Sequence, residues 1–123
     1  MSTSFLVHAR SYWNNTTYSL VRGHRYRLTA SGFWYDAWIK CGPDGYSSPN
    51  SLMARFEQYR RAPQQNWFAL IGAVDQDESS HFKIGGGITF TADRSGLLAC
   101  FANDVPGFYW NNWGSLQLSL TEL

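Results

Sequence analysis

The strongest constraint on the fold of this chain is an alternation of apolar and polar residues with a period of two. The segment 24–30 alternates tyrosine, leucine and alanine with arginine and threonine, and the segment 116–121 alternates leucine with glutamine, serine and threonine. In a β-strand, neighbouring side chains point to opposite faces of the sheet. Both segments are therefore predicted to be strands with one face in the core and one face in solvent.

Further strands and turns extend this pattern. Apolar residues at alternate positions in 82–84 and 88–90 predict two short strands joined through three glycines, and the apolar run 97–102 predicts a buried strand. Turn signals, each with a glycine, recur at 22–23, 42–45, 93–96 and 106–107. Many short strands with regular turns are typical of a sandwich or a barrel. We predict an all-β fold, a jelly-roll-like β-sandwich of two antiparallel sheets.

One segment departs from the period of two. Ser48-Pro49 is followed by apolar residues at positions 52, 53, 56 and 59, and the segment ends at Ala62-Pro63. This spacing fits a short helix capped by Ser48, with Pro49 at the first helical position. It fits a long ordered loop over the sheet equally well, and both interpretations stay open.

Length, charge and composition limit the classes of function. The 123 residues suffice for one core, so we predict a single domain over residues 1–123. A net charge of +1 gives no electrostatic basis for binding nucleic acid. Aromatic residues make up 17% of the chain. A core of this size does not easily bury so many rings, so we expect some of them on a binding surface.

The sequence shows no targeting signal that we recognise. Its first residues lack a basic start followed by an apolar stretch of signal-peptide length, and no apolar run approaches the length of a membrane span. We therefore expect a soluble protein, made in the cytoplasm without membrane insertion, that leaves the cell by another route to act outside it. Cys41 and Cys100 form no zinc spacing. Two buried free thiols and a disulfide between them both stay open.

The segment 103–113, NDVPGFYWNNW, concentrates oxygen donors among aromatic rings. Pro106-Gly107 occupies the two central positions of a predicted type II turn. Asp104 supplies a carboxylate before this turn, and Asn111 and Asn112 supply amide oxygens after it. Carboxylate, amide and carbonyl oxygens are the ligands that calcium prefers. The calcium could bind sugar hydroxyls while a ring stacks on the apolar face of the sugar; alternatively, the same residues only cap turns.

Three stretches of the sequence resemble one known family. They are GHRYRLTASG at 23–32, KCGPDG at 40–45 and NDVPGFYWNNWGS at 103–115, in the same order along the chain. The chain resembles the PA-IL family, the small calcium-dependent galactose-binding lectins of bacteria, and the third stretch is the long and specific one. The resemblance implies a calcium-dependent lectin for terminal galactose or a related sugar, assembled as a homotetramer.

The resemblance also implies a set of calcium ligands. These are the carboxylate of Asp104, the carbonyl of Phe108, the side chains of Asn111 and Asn112, and an early backbone carbonyl. Counting back from Gly42-Pro43 assigns the early carbonyl to Tyr35, which preserves the residue type of the family. Counting forward from Gly32 assigns it instead to Asp36, whose carboxylate would add negative charge to the site.

The expected sugar contacts depart from the family pattern. The implied sugar-binding residues are Tyr35, Ser48, Pro49, Asp104, Val105, Phe108, Trp110 and Asn111. The family reads galactose through a histidine before the proline and a glutamine shortly after it, and these positions are Ser48 and Ser51 here. Trp110 and Trp113 replace small residues, either as a new stacking wall or as a block to the pocket. The segment 56–66 is also longer than in the family.

We expect a binding protein and not an enzyme. The sequence has no nucleophile motif of the GxSxG type. The main alternative is a protein with the lectin fold that has lost or changed its sugar binding and acts through protein contacts at Trp110 and Trp113. A glycosidase that uses the carboxylates of Asp36 and Asp104 is the third hypothesis.

Overall fold

A computed structural model describes residues 2–123, which form ten strands and four short helices. The strands are β1 (Ser2–His8), β2 (Asn14–Leu20), β3 (Arg25–Asp36), β4 (Ile39–Cys41), β5 (Asp44–Tyr46), β6 (Trp67–Val74), β7 (Phe82–Lys83), β8 (Gly87–Thr91), β9 (Gly96–Ala102) and β10 (Asn112–Glu122). The helices are the α-helix α1 (Ser51–Ala54) and three 3₁₀ turns, Glu57–Tyr59, Glu78–Ser80 and Tyr109–Asn111.

The strands form two antiparallel sheets of five strands each. The first sheet has the order β1-β10-β3-β4, with β8 also paired to β3. The second has the order β2-β9-β6-β5, with β7 also paired to β6. Apolar side chains from both sheets form one shared cluster between them. The predicted all-β sandwich of two antiparallel sheets is confirmed.

The core follows from the alternation in the sequence. Tyr26 and Leu28 of β3 are fully buried, as are the three leucines of β10, Leu116, Leu118 and Leu120. Their polar neighbours lie on the outer face of the first sheet. Strand β6 is buried at every position because the segment that precedes it covers its other face, where Ala62 packs with Ile71 and Phe101.

The helix predicted after Ser48 begins later than expected. Asn50 is the N-cap of α1, because its side-chain oxygen accepts a hydrogen bond of 2.9 Å from the Met53 N–H. Ser48 does not cap the helix, since its hydroxyl is bonded to Trp67 and Glu57. Pro49 therefore precedes the cap. Among residues 2–123, no helix is long and apolar enough to cross a membrane.

Both cysteines are buried and free. Cys41 lies at the end of β4 and Cys100 lies in β9, so the alternative of a disulfide between them is not what the structure shows. Burial raises the pKa of each thiol to about 12, and both are therefore neutral and unreactive at physiological pH.

We expect that Gly45→Ala strongly destabilises the fold. Gly45 has a φ of +71°, and an added Cβ would lie 2.0 Å from the Trp67 carbonyl oxygen, in the strand beside it. The cost should be about 3 kcal/mol or more, measured by urea unfolding. Gly23→Ala is the matched control, since Gly23 has a φ of +87° with open space around it, and it should cost only about 1 kcal/mol. Equal losses for the two variants would contradict the close approach.

Candidate functional site

The candidate site lies at one end of the ladder that joins β3 and β10. Asp36, the last residue of β3, pairs with Asn112, the first residue of β10. Asn111 directly precedes β10, and its carbonyl accepts a hydrogen bond of 3.1 Å from the Ala37 N–H. Asp104 follows β9. The fold therefore brings Asp104, Asn111 and Asn112 together as predicted, and adds the carboxylate of Asp36.

A tight turn shapes the segment that carries Asp104. The Phe108 N–H donates to the Val105 carbonyl at 3.1 Å, and Gly107 has a φ of +90°. This is the turn that Pro106-Gly107 predicts, with a glycine where a positive φ is required. The Val105 N–H donates to Asp104 Oδ1 at 2.7 Å, which holds the carboxylate against its own backbone.

Two amide oxygens at the site are buried without a hydrogen-bond donor. Asn112 Nδ2 donates to the Ala9 carbonyl at 3.2 Å and to Asp104 Oδ2 at 3.0 Å, which fixes the orientation of the amide. Asn112 Oδ1 then has no partner, and Asn111 Oδ1 has none either. A buried acceptor without a donor costs about 1–3 kcal/mol. Two such oxygens in consecutive residues therefore indicate that a donor or a cation binds here.

The two carboxylates of the site lack a compensating positive charge. Within residues 2–123, neither Asp36 nor Asp104 forms an ion pair with Lys, Arg or His. Burial raises the pKa of Asp104 to about 7, and the nearby charge of Asp36 adds to this, while hydrogen bonds from Asn112 and Val105 oppose it. Burial also raises the pKa of Asp36, against a hydrogen bond of 2.5 Å from the Tyr46 hydroxyl.

This donor set fits a hard divalent cation. Two carboxylates and two unpaired amide oxygens are all oxygen ligands, and calcium takes about 6–8 of these. A divalent cation would neutralise both carboxylates and supply the missing partner of both amides. Across residues 2–123, no three His, Cys, Asp or Glu side chains converge on one point. Any metal site here therefore needs the asparagines as ligands.

A cleft of about 180 Å³ opens beside these donors. Asp36, Asp104 and Asn111 supply its polar lining. Its other walls are apolar and are formed by Met53, Phe56, Trp67, Val105 and Phe108. Sequence analysis missed Met53, Phe56 and Trp67 as lining residues. The only signal for Met53 and Phe56 was the helical spacing of residues 52–59, which does not reveal what a helix packs beside, and Trp67 gave no such signal.

The remaining predicted residues lie around the cleft, not along its walls. The Tyr35 ring stacks on Trp113 with a centroid distance of 3.8 Å and an angle of 4° between the rings. Trp113 Nε1 donates to the Ala37 carbonyl at 2.7 Å, so this indole is held on the outer side of the sheet. Trp110 is 67% exposed, and Pro49 is exposed as well. The assignment of the early carbonyl to Tyr35 stays a prediction.

Ser48 is already bonded within the protein. It accepts a hydrogen bond of 2.8 Å from Trp67 Nε1 and donates its own proton to the Glu57 carboxylate. It does not line the cleft, and neither does Ser51, the first residue of α1. The two positions that read galactose in the PA-IL family thus present no polar side chain to this cleft.

Asn103 holds the segment 62–66 beside the site. Its Oδ1 accepts from the Ala62 N–H at 2.9 Å, and its Nδ2 donates to the carbonyls of Ala62, Gln65 and Asn66. Asn103 is completely buried and directly precedes Asp104. The side chain of Asn103 therefore fixes the segment 62–66, which leads to Trp67 in the apolar wall of the cleft, close to the residue that precedes Asp104.

Arg61 also holds the segment that carries Asp104 in place. Its guanidinium lies 3.4 Å from the Phe101 ring and 3.7 Å from the Tyr12 ring, and it is bonded through two nitrogens to Glu78. It also donates to the Tyr109 hydroxyl at 3.1 Å. The Arg61 backbone N–H donates to the Asp104 carbonyl at 3.0 Å. Arg61 thus connects the donor segment with distant parts of the chain.

A solved structure resembles this whole fold. It is described as the N-terminal domain of EclA, a PllA-like lectin. The alignment covers 98% of this chain and 95% of the other. The TM-score is 0.75 and the sequence identity is 17%. The chain has the fold of a lectin domain. No family model and no curated protein matches the chain, and at 17% identity the structural likeness establishes the fold alone.

We expect the calcium-free protein to lose stability as the pH rises from about 4 to about 7. The raised pKa of Asp104 means that the folded state binds more protons than the unfolded state in this window, so ionisation disfavours the folded state. Melting temperatures in excess EGTA at several pH values test this. In Asp104→Asn, the decline should be smaller by roughly 5 °C over the window. An identical decline in both proteins would contradict the raised pKa.

We expect that Arg61→Met costs about 2–3 kcal/mol of unfolding free energy. The variant removes the contact of the guanidinium with the rings and leaves Glu78 without its bidentate partner. Urea unfolding measures the loss. Arg94→Met is the control, because Arg94 forms only exposed pairs, with Asp77 at 3.3 Å and with Asp93 at 3.6 Å, and should change stability by less than about 0.5 kcal/mol. Similar values for the two variants would exclude an anchoring role for Arg61.

Proposed function

We propose that this protein is a lectin that binds glycans through a calcium ion in the cleft beside Asp104. The observation that carries the proposal is the pair of buried amide oxygens without donors, next to the buried carboxylate of Asp104 and the partly buried carboxylate of Asp36, neither of which has an ion-pair partner within residues 2–123. Bringing these carboxylates and unpaired amide oxygens together on folding costs free energy unless a cation binds to them. The lectin fold of the solved neighbour supports sugar as the class of ligand.

The proposed ligands divide into side chains and backbone groups. Asp36, Asp104, Asn111 and Asn112 would supply side-chain oxygens. The carbonyls of Phe108 and of Tyr35 are the backbone ligands that the PA-IL resemblance suggests. When bound, calcium supplies coordination positions for two neighbouring hydroxyls of a sugar. The protein itself positions the sugar and excludes water through the apolar wall of the cleft.

We propose terminal galactose or a related sugar as the ligand. The support is the resemblance of residues 103–115 to the galactose-binding PA-IL family. We propose no catalytic step, since a lectin makes and breaks no bond. A homotetramer released from a bacterial cell would strengthen single weak sites by presenting several of them on one assembly.

A second candidate function is binding to another protein through exposed tryptophans. Trp38 is 88% exposed at the turn between β3 and β4, and Trp110 is 67% exposed nearby. Exposed tryptophans are frequent anchors of protein interfaces. In this alternative the fold is kept, while sugar binding has been lost or changed.

We expect calcium to bind with about 1:1 stoichiometry and to raise the melting temperature. The bound ion relieves the repulsion between Asp36 and Asp104, and stabilisation follows from binding to the folded state alone. Calorimetry with calcium and thermal melts with and without EGTA measure both effects. Asp104→Asn should weaken calcium binding at least about 10-fold. Asp93→Asn is the matched control, because Asp93 is a highly exposed carboxylate away from the cleft.

We expect binding on a glycan array in millimolar calcium and loss of that binding in excess EGTA. Galactose-terminated glycans that behave in this way would support the proposed ligand. Calcium-dependent binding to a different sugar would retain the lectin and correct its specificity. Folded protein that binds calcium but no glycan would favour the protein-contact alternative.

A further inference from the structure

The cleft beside the donors offers almost nothing to a third sugar hydroxyl. Apart from Asp36, Asp104 and Asn111, which are proposed ligands of calcium, all its lining residues within 2–123 are apolar. Trp67 has an indole N–H, but Ser48 accepts it at 2.8 Å. Ser48 in turn donates its own proton to the Glu57 carboxylate.

The apolar wall is held in place without a ligand. Trp67 lies between Ser48, which accepts its N–H, and the Arg60 guanidinium, which is 4.9 Å from the ring. The Asn50 cap fixes the start of α1, which carries Met53. These contacts hold Trp67 and the start of α1 in place before any ligand binds.

A hexose bound in this cleft through two hydroxyls would bring a remaining substituent against this wall, since apolar residues form every part of the lining other than the three donors. The hydroxymethyl group is the largest of them in galactose. Its hydroxyl would leave water and find no side-chain partner among Met53, Phe56 and Phe108, which is costly. A methyl group at the same carbon would instead gain from the contact with apolar atoms.

We infer that the cleft selects a 6-deoxyhexose, a sugar that carries a methyl group where galactose carries a hydroxymethyl group. This inference rests on the proposed function and specifies the class of sugar. The calcium ion reads the pair of neighbouring hydroxyls. Met53, Phe56 and Phe108 select against a hydroxyl on the sixth carbon, because these apolar side chains offer that hydroxyl no hydrogen-bond partner.

The test compares pairs of sugars that differ in one oxygen atom. D-galactose is titrated against 6-deoxy-D-galactose, and L-galactose against L-fucose, by calorimetry in millimolar calcium. Both members of each pair offer the same ring hydroxyls to the metal. We expect the 6-deoxy member of the series that binds to be favoured about 10-fold.

Two substitutions in α1 test whether the apolar wall causes the preference for the 6-deoxy sugar. Met53→Gln is nearly isosteric and adds a polar group to the cleft, so it should reduce the preference for the 6-deoxy sugar about threefold or more. Leu52→Gln is the control, since Leu52 is exposed on the same helix and does not line the cleft. It should leave the preference unchanged. Neither variant removes a proposed calcium ligand.

The outcomes separate this inference from the function on which it rests. Equal binding of the two members of a pair, or tighter binding of the hydroxymethyl sugar, would overturn the selection of 6-deoxyhexoses and leave the calcium lectin intact. Unchanged selectivity in Met53→Gln would overturn the role of the wall. Failure of all four sugars to bind to calcium-loaded protein would overturn the selection of 6-deoxy sugars of the galactose series, and the absence of any binding on the glycan array as well would overturn the sugar-binding function itself.

Discussion

The pairing of β3 with β10 determines both the core and the candidate site of this protein. The two strands are in register over eleven positions, from Asn112 opposite Asp36 to Glu122 opposite Tyr26. Because side chains alternate between the faces of a sheet, the register that buries Leu116 and Leu118 also turns Asn112 inward and Trp113 outward. A shift by one residue would bury the tryptophan and expose the asparagine. The hydrophobic core therefore enforces the placement of the donors.

The groups of the candidate site lower the stability of the folded state. The carboxylate of Asp104 and two unpaired amide oxygens are buried beside the partly buried carboxylate of Asp36, and Asn103 and Arg61 hold the segments around them in place. Such an arrangement is held by contacts elsewhere in the structure, which is common where binding matters more than stability. Under the proposed function, a bound cation would recover this cost, and the protein would then be most stable in its ligand-binding state.

Much of the fold could be predicted from the sequence, because it depends on local pattern. The alternation in residues 24–30 and 116–121 gave two strands with the correct buried faces, and Pro106-Gly107 gave the turn beside Asp104. The apolar wall could not be predicted, because Met53 and Trp67 meet only through long-range packing. The helical interpretation of this segment placed the cap at Ser48 and not at Asn50, and the alternative of a loop stayed open, because the bond that occupies the Ser48 hydroxyl comes from Trp67, nineteen residues away.

The division of the cleft between two segments has a consequence for how such a domain can diversify. The donors belong to the ends of long strands and to the segment 104–111 between β9 and β10, whereas Met53 belongs to a four-residue helix that buries none of its residues. Substitutions in that helix disturb little of the core. Ligand preference could therefore drift or be re-engineered through α1 while the charged half of the cleft stays constant, which makes this domain a convenient starting point for libraries of binding proteins.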